Sequence, residues 1–487
     1  MRTKTNKGAK TSKGVWTPAQ RWVLALTSVA SLMVALDALV VTTALSTIRL
    51  DLGASIEELE WTINAYTLSL AVLLMTAAAL GDRLGRRRLF VAGIGLFTAA
   101  SAACALAPSI GWLITARVVQ GAGAAMVVPL AMALLSAAFP AEQRGRALGL
   151  FGGVLGLATL GGPMVGGAIV QALAWQWIFW INVPIGLLLI PLTRGRTEES
   201  RGADARIDVP GLALAAGGAL GLVWGLVRGN AAGWSSAEVV GSLAAGALLL
   251  VAFVRWELRA REPMVPMRFF GSRAFSAGNA VSFLMFGSIF AGAFFFAQFL
   301  QTVLHYGPLG AGLRLAPWTV MLFVVAPIAG GRVNRYGERT LIVIGLLLNA
   351  AGYAWIALLA GPGLAYPAMI PPLMLAGVGV AMAIPAAQNA VLGAVPRGAV
   401  GKASGTFNTL RQLGGTFAIA ALAAVFAASG GYGSAQAFSD GFAWAIGVAA
   451  LLSFAGALAG WWTPGRRATA ALPVTSVAPV LQAEPSA

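Results

Sequence analysis

Almost the whole sequence consists of apolar runs that are long enough to cross a lipid bilayer. A membrane-spanning helix needs about 20 predominantly apolar residues. Only 10% of the residues are charged, whereas soluble domains contain about 25%. The sequence therefore predicts an all-α, polytopic membrane protein with fourteen spans. The predicted spans are residues 22–48, 61–80, 89–107, 111–139, 147–172, 177–194, 209–228, 238–256, 275–304, 311–330, 340–360, 367–393, 405–429 and 441–463.

The distribution of charge predicts which side of the membrane each loop occupies. A net charge of +16 would favour nucleic-acid binding in a soluble protein. Here the basic residues are concentrated in the tails and in alternate loops, as in Arg83–Arg88, and short basic loops stay in the cytoplasm. We therefore expect no nucleic-acid partner and cytoplasmic termini. The first outer loop is assigned the acids Asp51, Glu57, Glu58 and Glu60.

A charged loop occurs once in each half of the chain. Asp82-Arg83-x-Gly85 and Asn334-Arg335-x-Gly337 occupy matching places between long apolar runs. Their glycines suit a tight turn between two helices, because glycine has no Cβ to clash. The repeat predicts two similar halves, an arrangement that many transporters share. The alternative is a loop whose arginines only set the orientation.

The repeat also predicts the domain organisation. The spans between 209 and 256 have no counterpart in the repeat, so we expect an inserted transmembrane hairpin between two six-helix bundles. The predicted units are a basic cytoplasmic tail (1–20), an N-terminal six-helix bundle (21–194), a linker with the hairpin (195–273), a C-terminal six-helix bundle (274–463) and a disordered cytoplasmic tail (464–487).

Charged residues inside spans are costly and mark candidate functional positions. Asp37 lies about 22 Å above the cytoplasmic edge when counted at about 1.5 Å per residue. Arg117, counted inward from the outer edge of a core about 30 Å thick, reaches a depth of about 21 Å. The two side chains are therefore expected to face one central cavity and to pair. Alternatively, each snorkels or binds backbone groups on its own. Arg411 is a further intramembrane candidate.

Other polar and small residues complete the candidate site. The fifth predicted span carries Gly162, Pro163, Gly166 and Gly167, and such glycines permit close helix contact. The polar positions expected to line a cavity are Asn64, Gln120, Gln298, Gln301, Asn389, Asn408, Arg411 and Gln412.

Enzymatic chemistry is not expected. The only histidine is His305 and the only cysteine is Cys104, so neither a metal site nor a Ser/His/Asp constellation can be assembled. No phosphate-binding Gly-x4-Gly-Lys-Ser/Thr motif occurs, because Ala403 follows Lys402. We therefore expect no cofactor, no metal and no direct ATP hydrolysis.

These motifs resemble the major facilitator superfamily, in its fourteen-span drug:proton antiporter branch (the EmrB/QacA type). The likeness extends over almost the whole chain, although Ala78 and Ala158 replace glycines that are usual in the family's motifs. The segments that carry it are Leu36-Asp37 with Val40-Val41, Asp82-Arg83-x-Gly85-Arg86-Arg87, Arg117-x-x-Gln120-Gly121-x-Gly123, Gly162-Pro163-x-x-Gly166-Gly167, Trp175 to Pro184, Leu300-Gln301 with Ala311-Gly312-Leu313, and Arg411-Gln412-x-Gly414-Gly415.

The resemblance implies a transport mechanism. It implies export of amphipathic or antibiotic-like compounds by alternating access, driven by the proton gradient. The alanine- and arginine-rich composition indicates a bacterium, so we expect a bacterial plasma membrane, and we expect a monomer. Asp37 would bind the coupling proton, and Arg117 would adjust how readily that proton is released. The loop of Asp82, Arg83, Gly85, Arg86 and Arg87 would latch the inner face. Gly166 and Gly167 would pack against the tenth span. A symporter or a narrow-specificity metabolite exporter is the alternative.

Overall fold

A computed structural model describes residues 16–202, 208–396 and 399–465. Within these ranges the chain is helical and contains no strand. Thirteen helical segments in the described part are long and apolar enough to cross a membrane. The fifth predicted span corresponds to Ala141–Ala172, a helix of 32 residues that is not among these thirteen. The predicted tails 1–20 and 464–487 lie mostly outside the described residues.

The N-terminal half begins with a capped helix. The Thr17 side chain accepts a hydrogen bond from the Gln20 backbone N–H, and the Gln20 side chain accepts one from the Thr17 backbone N–H, which satisfies helix-end donors. The sixth predicted span is interrupted at Ile181. The helices are α1 (Pro18–Leu52), α2 (Ile56–Leu84), α3 (Arg86–Ala105), α4 (Ile110–Ala138), α5 (Ala141–Ala172), α6 (Trp177–Trp180) and α7 (Asn182–Arg196).

The C-terminal half repeats this order after an inserted helix pair. The tenth predicted span is broken at Leu315, two residues before Pro317, which has no backbone N–H to donate. The helices are α8 (Val209–Ala232), α9 (Ala237–Glu257), α10 (Arg273–Thr302), α11 (Pro308–Arg314), α12 (Ala316–Tyr336), α13 (Glu338–Leu359), α14 (Tyr366–Gly393), α15 (Val400–Ser429) and α16 (Ala435–Trp461), with a 3₁₀ turn at Met267–Gly271.

Equivalent helices of the two halves pack in equivalent pairs. Helix α1 packs on α5 as α10 packs on α15, and α2 and α3 both pack on α4 as α12 and α13 pack on α14. The repeated loops also match, because Gly85 and Gly337 both have positive φ, at 113° and 83°. The fold is thus two six-helix bundles with an inserted hairpin, as predicted. The exact residue boundaries of these units stay a prediction.

The two bundles meet along α2 and α15 and along α5 and α11. The inserted hairpin, α8 and α9, lies beside the first of these seams, where α8 contacts both α2 and α15. Between the hairpin and the bundles is an apolar cavity of about 810 Å³, lined by residues such as Met75, Leu222, Phe253 and Leu413. The hairpin therefore covers the seam from one side. Below, inner and outer denote the sides predicted from the loop charges.

Candidate functional site

A buried ion pair lies inside the N-terminal bundle. Arg117 Nη1 of α4 donates to Asp37 Oδ2 of α1 at 2.5 Å, and both side chains are at most 1% exposed. Gln120 Nε2 and Asn182 Nδ2 donate to the other oxygen, Asp37 Oδ1, at 2.8 and 3.0 Å. Ser101 Oγ accepts from the same Gln120 nitrogen. We call these five residues the Asp37 cluster. The aspartate is thus held by a charge and two amide donors.

The guanidinium of Arg117 is held from several directions. Its Nε donates to the Thr62 carbonyl of α2 at 3.1 Å, and its Nη1 also donates to Gln120 Oε1 at 2.7 Å. Its carbon lies 4.1 Å from the centre of the Tyr66 ring and 5.7 Å from that of Phe179. A cation over an aromatic face gains electrostatic attraction, more so when it is removed from water. Arg117 therefore connects α4 to α1 and to the outer part of α2.

The location of this pair differs from the sequence-based expectation. The structure brings Asp37 and Arg117 together, as the depth count predicted. However, all the contacts just described come from the N-terminal half. Helix α2 lies between the pair and α15 of the C-terminal half. The pair does not face a cavity between the two halves. Their predicted role in proton coupling stays a prediction.

Helix α2 has two polar faces that point in opposite directions. Thr62, Tyr66 and Ser69 face α4, because they contact Arg117 or donate to the Val118 carbonyl. On the other face, Thr67 Oγ1 lies 2.8 Å from Thr416 Oγ1 of α15. Residues spaced by three and four along a helix share a face. Glu60, Asn64, Thr67 and Ala71 therefore line the face of α2 that meets the C-terminal half.

Sequence reasoning placed Glu60 wrongly. It was assigned to the first outer loop, but α2 begins at Ile56 and Glu60 is only 4% exposed. The signal that locates the helix start is the capping box of Ser55 and Glu58, whose side chains each bind the other's backbone N–H. Tyr66, Ser101 and Asn182 were also absent from the predicted site, although Asn182 lies in a motif of the family resemblance.

The predicted cavity-lining residues occupy different environments. Gln120 belongs to the Asp37 cluster. Asn64 is fully buried on the inter-half face of α2. On α10, Gln298 contacts the Tyr432 hydroxyl, and Gln301 Nε2 donates to the Thr43 carbonyl of α1 at 3.2 Å.

The remaining polar candidates lie on α14 and α15. The Asn389 side chain donates to Glu338 of α13 at 2.7 Å, at an exposed site, and its expected place in a cavity stays a prediction. Asn408 donates to the Ser404 carbonyl of its own helix. Arg411 lies 5.1 Å from the Phe286 ring centre, and Gln412 is buried.

The loop after α2 is held by the linker that follows α7. Asp82 accepts from Arg86 Nε at 2.7 Å, one turn further along the chain. Glu199 accepts from the backbone N–H groups of Arg87 and Arg88 at 2.9 and 3.3 Å, so it caps the start of α3. A carboxylate is favoured there by the helix dipole.

Arg83 and Arg87, two further residues of the predicted latch, lie at the same connection between α2 and α3. The guanidinium of Arg87 donates to the Arg194 and Thr197 carbonyls, and Arg83 is in the last turn of α2. The contacts described here for the loop are all within the N-terminal half and its linker. Its gating role stays a prediction.

The glycines of α5 permit close approach to two partners. A Cβ on Gly166 would lie 2.6 Å from Thr43 Oγ1 and 2.8 Å from a Val40 methyl, so Gly166 packs on α1. The expected contact with the tenth span is therefore wrong for Gly166. It is correct for Gly167, where a Cβ would meet the backbone of Pro308 and Leu309 in α11. Gly162 also faces α1, at Leu39, and Pro163 lies in the same helix.

Comparisons with known proteins agree with this architecture. The family model described as "Major Facilitator Superfamily" matches residues 27–419. A tetracenomycin C resistance and export protein of Streptomyces glaucescens is 36% identical over 406 residues, covering 82% of this chain and 74% of that protein. A cephamycin export protein of Amycolatopsis lactamdurans is 34% identical over 461 residues, covering 92% of this chain and 94% of the relative.

A solved structure shows the same fold. The crystal structure of a D-xylose–proton symporter superposes with a TM-score of 0.65 over 93% of this chain and 99% of that one, at 15% sequence identity. At that identity the likeness concerns the fold alone. The family match and the relatives of more than 30% identity show, together with this shared fold, that the chain belongs to the Major Facilitator Superfamily and is a multi-pass membrane transporter.

Proposed function

We propose that this transporter is a proton-coupled antiporter that exports antibiotic-like, amphipathic compounds across the plasma membrane of a bacterium. The observation that carries the proposal is the Asp37 cluster, a fully buried carboxylate paired with Arg117 in the first and fourth spans. The direction of transport is supported by relatives named as export proteins for tetracenomycin C and cephamycin. The proposal places the chain in the fourteen-span drug:proton antiporter branch, with both termini in the cytoplasm.

The coupling rests on the charge balance of the pair. When Asp37 is ionised, it neutralises the guanidinium of Arg117 and holds it against the Thr62 carbonyl of α2. A proton on Asp37 would leave Arg117 buried without a counter-ion, which is unfavourable. The protonated state would therefore favour a different arrangement of α1, α4 and α2. A ligand drives a conformational equilibrium only through such a difference between states.

Alternating access is supported by contacts near the outer ends of the two halves. Gln301 of α10 donates to the Thr43 carbonyl of α1, and Gly167 of α5 packs on the backbone of α11. Arg49 of α1 lies 4.3 Å from the ring centre of Tyr432, which follows α15. These contacts would have to separate for release to the outside. The transporter would work as a monomer, with no cofactor other than the proton gradient.

A second candidate is a narrow-specificity metabolite exporter or a proton symporter of the same fold. A D-xylose–proton symporter shares the fold of this chain. An export assay with a broad compound panel in an efflux-deficient strain separates these functions, because a multidrug exporter raises resistance to several unrelated compounds.

The test of the proposal is the substitution Asp37→Asn. The amide keeps the shape of the side chain but cannot exchange a proton, so proton-driven uphill export should be lost while downhill exchange of substrate is retained. The measurement is transport by purified protein in proteoliposomes, with and without a pH gradient. Glu57→Gln is a matched control, because Glu57 is partly exposed and binds Arg228. Normal uphill transport by Asp37→Asn would contradict the proposal.

A further inference from the structure

The apolar cavity of about 810 Å³ beside the inserted hairpin takes no part in the proposed coupling. We call this space the hairpin cavity. Only two of its lining side chains in the described part of the chain are polar, those of Thr406 and Thr409. Their hydroxyls donate to the backbone carbonyls of Lys402 and Ala71. The lining therefore offers no unpaired polar side chain to a ligand.

The character of the lining limits what can fill the hairpin cavity. Protein interiors are packed as densely as organic crystals, so an empty space of this size is unfavourable. An apolar cavity stays free of water and accepts apolar ligands. The polar groups of an exported compound would find no hydrogen-bond partners there, which is costly once they leave water. The occupant is therefore expected to be a hydrocarbon chain, and the surrounding bilayer supplies such chains as lipid.

The hairpin is attached to the bundles at its two ends. At the outer end, Arg228 of α8 binds Glu57 of α2 at 3.2 Å. At the inner end, Lys402 of α15 donates to the Pro263 carbonyl, in the connection between α9 and α10, at 3.1 Å. The lining residues of α8, from 215 to 226, lie between these attachments. The two ends thus hold the hairpin in place around the cavity.

Helix α9 leaves a path between the hairpin cavity and the bilayer. It packs closely on α8 but packs on neither α10 nor α16 within the described ranges, although all three line the cavity. The lining of α15 runs from Thr406 to Leu422, which is about 24 Å at about 1.5 Å per residue. One leaflet is about half of a hydrocarbon core about 30 Å thick. An acyl chain therefore has room along its length.

The connection between α9 and α10 places positive charge at the inner end of the hairpin cavity. It contains one acid, Glu262, and three exposed arginines, Arg259, Arg261 and Arg268. Met267, next to Arg268, lines the cavity. Basic segments beside a membrane span attract the anionic lipids of the cytoplasmic leaflet. The charge of this connection therefore suits the phosphate of an anionic phospholipid whose chain enters the cavity.

We propose that the hairpin cavity binds an acyl chain of an anionic phospholipid from the inner leaflet, with the lipid phosphate beside Arg259 and Arg268. Ala71 of α2 and Thr409 of α15 both line the cavity, so the lipid would contact the two halves where they meet. The site does not depend on the proposed export function, because it uses none of the residues of the Asp37 cluster.

The first test measures whether the chain occupies the cavity. Native mass spectrometry of the purified full-length protein counts the lipids retained after addition of palmitoyl-oleoyl phosphatidylglycerol. The unaltered chain should retain one lipid that Ala215→Trp loses, because Ala215 lines the cavity and the indole would fill it. Val254→Trp, which fills it from α9, should act in the same way. Ala213→Trp is the matched control, because Ala213 is exposed and lies outside the lining.

The second test measures the contribution of the headgroup. Phosphatidylcholine with the same acyl chains is compared with phosphatidylglycerol. Arg259→Gln combined with Arg268→Gln should lower the preference for phosphatidylglycerol by about tenfold, because two charges near the phosphate are lost. Arg332→Gln combined with Arg335→Gln is the control, because it removes two exposed charges from another inner loop.

The outcomes decide each part of the proposal. Retention unchanged in Ala215→Trp and Val254→Trp overturns the cavity site, and so does an equal loss in Ala213→Trp. Equal retention of the two lipids by the unaltered chain overturns the anionic headgroup, as does an equal effect of the two double arginine variants. Thermal unfolding of each variant checks that it is folded. The readout is lipid retention, so these results are independent of whether export is driven by protons.

Discussion

At the residue scale, the side chain required at position 117 is determined by the several groups that one guanidinium contacts at the same time. Arg117 binds a carboxylate on α1, an amide on its own helix and a carbonyl on α2, and it lies over the Tyr66 ring. A planar guanidinium offers five donors in a fixed fork, whereas an ammonium group is a compact point charge. The position therefore requires the shape of arginine as well as its charge.

This requirement predicts a graded effect of substitutions at Arg117. Arg117→Ala leaves Asp37 buried without its counter-ion, which should destabilise the protein by about 3–5 kcal/mol. Arg117→Lys keeps the charge but loses the simultaneous contacts with Asp37 and Thr62. This variant should be more stable than Arg117→Ala and should keep only part of the transport activity. Thermal unfolding and gradient-driven transport of both variants measure the two effects. Equal behaviour of the alanine and lysine variants would contradict the argument.

At the scale of helices, the depth of a residue in the membrane is easier to predict than the rotation of its helix about the helix axis. Counting residues at a fixed rise brought Asp37 and Arg117 to the same level, and the structure shows them in contact. The face they occupy was not predictable, because helices that are apolar on all sides show no stripe that indicates their rotation. The same reason explains Gly166, whose partner proved to be α1. Glu60 was misplaced for another reason, namely a helix start taken five residues too late.

The close packing of α5 on α1 predicts a difference between two glycines of one helix. In Gly166→Ala the new Cβ would lie 2.6 Å from Thr43 Oγ1 and 3.0 Å from the Val40 Cα, so the helices must separate. Such overpacking typically costs about 1–3 kcal/mol. In Gly161→Ala the nearest atom is a Val165 methyl at 3.9 Å, so this variant is the control. Thermal unfolding and export should be impaired only in Gly166→Ala. Equal tolerance of both substitutions would show that the contact does not matter.

At the scale of the whole molecule, the halves are joined differently at their two seams. The α2–α15 seam is polar in part, with Thr67 on Thr416 and Glu60 nearby, and the inserted hairpin covers it. The other seam, between α5 and α11, depends on backbone contact at Gly167. Between them, α1 and α10 meet through Thr43 and Gln301. A movement that opens the outer side must therefore break the Thr43–Gln301 contact.

This contact predicts that a covalent link between α1 and α10 stops transport. The Thr43 side chain itself is fully buried, so the cysteine is placed one helical turn further along, at the partly exposed Thr47. In a Thr47→Cys, Gln301→Cys variant, a short thiol-reactive crosslinker should hold the outer ends together and abolish export, and a reducible crosslinker should allow its recovery. The only native cysteine, Cys104, is buried, so it should not react under mild conditions. The two single-cysteine variants, treated with the same reagent, control for modification alone. Export at the normal rate by fully crosslinked protein would show that the outer ends of α1 and α10 need not part during the cycle.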